Sequence, residues 1–105
     1  MDAKTLEALK ASIAKWERNA EAKTADEYMT GWDNCPLCLL FIDDDCVGCP
    51  VAKAGNKGCF GTPYYKAEDT HELWKHGNKQ HRDAAHAAAR DEVAFLKSLL
   101  PEETP

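Results

Sequence analysis

Five cysteines, Cys35, Cys38, Cys46, Cys49 and Cys59, are the residues of this chain best suited to chemistry, and all of them fall within residues 35–59. They read C-x2-C, seven residues, C-x2-C, nine residues, C. A C-x2-C turn places two sulfurs on one side of a tight loop. Two such turns facing each other offer four thiolates in a tetrahedron, which is what structural zinc takes. Five candidates compete for four positions. The two C-x2-C pairs are the preferred set, with Cys59 either a spare thiol or the replacement for Cys46, because the glycines between residues 52 and 58 allow it to fold back. The seven-residue spacer is shorter than a zinc ribbon uses, so the spacing indicates the chemistry without indicating that fold.

Iron–sulfur is the close rival, since such clusters also take four thiolates and Cys49-Pro50 resembles the Cys-Pro step of cluster-binding loops. Thiolate chemistry alone does not separate zinc from a cubane cluster. Cys35-Pro36-Leu37-Cys38 also has the form of a dithiol active site, but no βαβ pattern precedes it and a second pair lies close by. Disulfides are a minor expectation. The N-terminus MDAKTLEALKASIAKWERN mixes charge into its apolar residues, unlike a secretory signal, and predicts a protein kept in the reducing cytoplasm of its cell.

Other residues offer weaker signals. His71, His76, His81 and His86 recur every five residues, a spacing that turns each helical neighbour by about 140° and so builds no shared metal face. His71 or His76 folding back on the block is a substitute for one thiolate in a three-cysteine, one-histidine site. His81 and Glu92 fall on the apolar face of the last helix and read as boundary or hydrogen-bonded core positions. The stretch HGNKQH does not have the spacing of a His-Asn-His nuclease, and no phosphate loop, nucleophile elbow or carboxylate pair is present. Asp43, Asp44 and Asp45 form an acidic run that reads as a solvated turn. Residues 46–66 carry Lys53, Lys57 and Lys66 with Phe60, Tyr64 and Tyr65 and no acid. Lysines interleaved with aromatics beside a metal loop are how small knuckles hold single-stranded nucleic acid. The simpler expectation is that these aromatics pack the loop against the helices.

The elements that must position these residues are helical. Residues 2–22 place Leu6, Leu9, Ile13, Trp16 and Ala20 at spacings of three and four, an apolar stripe that reads as a core-facing surface rather than a partner seam. A connector, residues 25–34, contains Gly31 and Trp32, the latter expected beside the cysteine block. The block, residues 35–66, carries three prolines and four glycines and predicts loops and tight turns. Within it only Leu37–Ile42 has the makings of a short strand or an apolar helical turn. A short helix is expected over residues 67–75, a break at Gly77-Asn78, then a longer helix over residues 79–100. Its Ala85, Ala88, Ala89, Val93, Leu96, Leu99 and Leu100 share one broad face, and Pro101 closes it. Residues 102–105 read as a frayed tail. The fold class that follows is mainly α, one domain over residues 1–105, with antiparallel N- and C-terminal helices and a loop-rich metal-binding insertion between them.

At 105 residues the chain is near the lower end of what buries an adequate core unaided, so a metal staple would be useful to it. Its hydrophobic fraction of 44% and charged fraction of 30% are those of a folded globular protein. The 18 acidic against 13 basic residues, a formal charge of -5, argue against coating duplex DNA with the whole surface. The longest apolar run, Leu37–Ile42, is far short of the roughly 20 residues of a membrane span, so no membrane partner is expected.

The block CPLC…CVGCPV…C with GTPY, together with SIAKWERNAEA near the start and DEVAFLKSLLP near the end, resembles small bacteriophage and prophage cysteine-cluster proteins over most of the chain. The resemblance implies a phage-encoded accessory protein in a bacterial cytoplasm and carries over no catalytic residue. The expectation is therefore a non-enzymatic, zinc-stapled protein that binds a host protein during phage growth or evasion of defence. The alternatives are a single-stranded nucleic-acid module using Lys53, Lys57, Phe60, Tyr64, Tyr65 and Lys66, and an iron–sulfur redox or sensor protein.

Overall fold

A computed structural model describes residues 3–30, 34–41, 49–51, 63–77 and 80–100. The first helix, α1, spans Ala3–Asn19 and buries Leu9, Ile13 and Trp16, so the predicted stripe is the core-facing one. It stops at Asn19 because that side chain turns to the returning strand of chain. Its Nδ2 donates to Met29 O (2.9 Å) and its Oδ1 accepts from Met29 N (2.8 Å). This two-bond clip satisfies a buried amide completely at backbone level. A single 3-10 turn, Ala25–Glu27, lies within the clipped segment. Three further α-helices follow: α2 at Pro36–Phe41, α3 at Pro63–Lys75 and α4 at His81–Ser98. The protein is mainly helical, with no strand among the described residues.

Two of these helices lie in the segment expected to be loop-rich: α2 takes the helical alternative for Leu37–Ile42, and α3 starts four residues before the helix expected at residue 67. Both α2 and α3 begin on a proline, Pro36 and Pro63. Proline fits the first helical position because its missing N–H would have no partner there and its fixed φ is already helical. A proline count alone therefore reads as loop what is a helix start. In α2 the backbone N–H of Leu39 donates to Cys35 O at 2.9 Å, closing the first turn, which settles Leu37–Phe41 as helix rather than strand. The expected break after Lys75 is present: Gly77 takes a positive φ of 91° and its N–H reaches back to Trp74 O at 3.1 Å. Glycine suits that left-handed position, which side chains disfavour.

The most extensive helix interface joins α3 to α4, and α1 packs on both α4 and α2. The core is shared by all of them: Leu9, Ile13 and Trp16 from α1, Leu37 from α2, Ala67 and Trp74 from α3, and Ala85, Ala88, Ala89 and Leu96 from α4. Ala85, Ala88 and Ala89 of α4 have no exposed surface to speak of, so neighbouring backbones approach closely there, while Val93, Leu99 and Leu100 are partly buried at the other end. Lys97 of α4 meets Glu17 of α1 at 3.4 Å. Toward the opposite end of α4, His86 Nε2 meets Ala22 O at 2.7 Å. No described helix is long and apolar enough to cross a membrane.

Tyr28 is the centre of one side of this core. It is buried, stands edge-on to Trp16 (ring centroids 5.8 Å apart) and to Trp74 (6.2 Å), and stacks on His71 at 4.7 Å. Such aromatic pairs add about 0.5–1.5 kcal/mol each to their area burial. Its hydroxyl donates to Ala85 O at 2.8 Å. Burial, and then the charge of Glu92, push its phenol well above the usual range, so Tyr28 stays a hydrogen-bond donor.

Candidate functional site

Of the five candidate metal ligands, Cys35 and Cys49 lie among the residues with described surroundings. Cys35 stands immediately before α2 and is half-buried against the core. Cys49 is itself part of the core, 5% exposed, and the residues after it, Pro50 and Val51, are buried with helical backbone. Each C-x2-C pair thus sends a member to the same hydrophobic cluster. Cys38 lies one turn into α2. Cys46 and Cys59 lie outside the described residues, as do the acidic run Asp43, Asp44 and Asp45 and Trp32, Asn78 and the tail.

The surroundings of Cys35 are charged. Lys15 of α1 and Glu92 of α4, 5% and 3% exposed, are both buried on this side of the core. The Lys15 ammonium sits 4.7 Å from the centroid of the neighbouring Trp16 ring, a cation–π contact that favours its charged form. Burial raises the Glu92 carboxyl from 4.5 to about 7, the Lys15 charge opposing and the Cys35 charge adding to that rise. Glu92 Oε1 and Ser12 Oγ, the latter one turn before Lys15, are buried with no hydrogen-bond partner among the described residues. A cleft of about 220 Å3 opens here, lined by Ala11, Lys15, Arg18, Met29, Asn34 and Pro36. Asn34 and Pro36 are the two chain neighbours of Cys35, so Lys15 reaches the entrance of the cysteine block.

The histidines do other work. His71 Nε2 donates to Ala25 O at 2.8 Å, and its Nδ1 lies 3.4 Å from Thr30 Oγ1, whose hydroxyl can donate to it. A carbonyl only accepts, so the bond to Ala25 fixes the tautomer. His86 Nε2 likewise donates to Ala22 O and stands edge-on to Trp74 at 5.6 Å. These two side chains hold residues 22–30 onto α3 and α4. His71 is therefore not the substitute ligand that a three-cysteine site would need. His76 is exposed and bonds Glu72 Oε1 at 3.0 Å on its own helix. Glu92 does fall in the core, as its position on the apolar face predicts, but with an oxygen left unbonded among the described residues.

The basic and aromatic set divides. Tyr64 is half-buried, edge-on to Trp16 at 6.0 Å and bonded to Glu68 Oε2 at 3.0 Å, so it packs one helix, α3, against another, α1, rather than a loop against the helices. Tyr65 and Lys66, on the next positions of α3, are exposed. Lys53, Lys57 and Phe60 lie outside the described residues. Exposed apolar surface gathers elsewhere: Leu39 and Leu40 of α2 are 56% and 39% exposed, between Cys38 and the acidic run.

Sequence reasoning missed Lys15, Asn19 and the clamp by His71 and His86. For Lys15 a signal existed: Ser12, Lys15 and Asn19 recur at three and four along the same face as Trp16. Comparison with known proteins adds no relative: no family model matches the chain, and no curated protein or solved structure is significantly similar to it.

Proposed function

We propose that the protein is a metal-stapled helical binding module without catalytic activity, its cysteine block held as a rigid surface by one zinc ion on four of Cys35, Cys38, Cys46, Cys49 and Cys59. The observation that carries this reading is the seating of Cys35 and Cys49, one from each C-x2-C pair, on a single core. In this reading the two pairs share one ion. The donor set fits: soft thiolates suit zinc, and structural zinc is commonly all-cysteine. Glu92, whose Oε1 is buried with no hydrogen-bond partner among the described residues, also lies within electrostatic reach of Cys35. In this reading the N- and C-terminal helices are antiparallel, supported by contacts that run from Glu17–Lys97 to Ala22–His86, and the cysteine block caps one end of them.

The surface that the staple would present includes Leu39 and Leu40, beside Asp43, Asp44 and Asp45. Exposed leucines next to acids suit a protein partner with a basic-rimmed apolar patch better than a nucleic acid, which the acids would repel. The resemblance to phage cysteine-cluster proteins makes that partner a host protein in the bacterial cytoplasm. Two measurements test this. Elemental analysis of freshly purified protein should find zinc; iron with acid-labile sulfide would replace zinc by a cluster. Binding of a tagged chain to host proteins should be lost in Leu39→Asp/Leu40→Asp while zinc content is retained. Salt-sensitive binding to an oligonucleotide, weakened by Lys66→Glu, would instead favour the nucleic-acid module.

A further inference from the structure

We draw no further inference here: the strongest candidate, the surface cleft beside α1 that Arg18, Met29 and Asn34 help to line, carries nothing because no group in the structure shows what fills it.

Discussion

The two sides of the core are built on different principles. Around Tyr28 a set of polar groups is matched: its hydroxyl to Ala85 O, the His71 and His86 rings to the carbonyls of Ala25 and Ala22, the Asn19 amide to Met29, with Glu92 near enough to raise its phenol. Around Lys15 the burial is just as deep, yet Glu92 Oε1 and Ser12 Oγ find no hydrogen-bond partner among the described residues. The first side is complete in itself. The second includes Lys15, which lines a cleft with Asn34 and Pro36, the chain neighbours of Cys35.

Substitutions can break or sharpen that contrast. On the matched side the largest loss is expected for Tyr28→Ala, about 3–5 kcal/mol of unfolding free energy by denaturant titration, since it removes a ring packed by three others. On the charged side the effect depends on pH. The folded-state value of Glu92, about 7 against an ordinary 4.5, means the folded protein holds this proton more tightly. Its contribution is therefore fully present below the ordinary value and lost as pH rises through about 7. Glu92→Gln should match the parent at the acid end of this window and exceed it by on the order of 3 kcal/mol on the alkaline side. A variant less stable than the parent there would show that the Glu92 carboxylate is compensated in the folded protein.

Smaller effects grade the matched side further. His86→Ala should cost about 1–3 kcal/mol, because Ala22 O is left without its donor. Tyr28→Phe removes only the bond to Ala85 O and should cost about 1 kcal/mol. Lys97→Ala breaks a half-exposed ion pair with Glu17 and should change stability by less than about 0.5 kcal/mol. If the histidine and tyrosine substitutions were as mild as Lys97→Ala, the matched side would not be the closed unit described.

Much of the fold was legible in local pattern. The spacing of Leu9, Ile13 and Trp16 gave the buried face of α1, and the alanine and leucine series gave that of α4. Pro63 misled, because proline both breaks helices and begins them, and only the backbone distinguishes the two. The histidine clamp was beyond local reading: His71 and His86 meet carbonyls 46 and 64 residues away. The five-residue spacing ruled out a shared helical metal face but said nothing of where each ring goes. At the site, the spacing of the cysteines was readable, and the packing of Cys35 and Cys49 against the core was not. Lys15 was hidden by its type, since a lysine in a charged helix is normally assigned to solvent.

The central claim, a single metal cage anchored on the core by both cysteine pairs, is tested most directly by the metal content of freshly purified protein beside its Cys35→Ser and Cys49→Ser variants. The account predicts zinc equimolar with the parent chain and lost from both variants, with the far-ultraviolet helical signal largely kept. A metal-free parent chain would contradict it, and so would variants that keep their zinc.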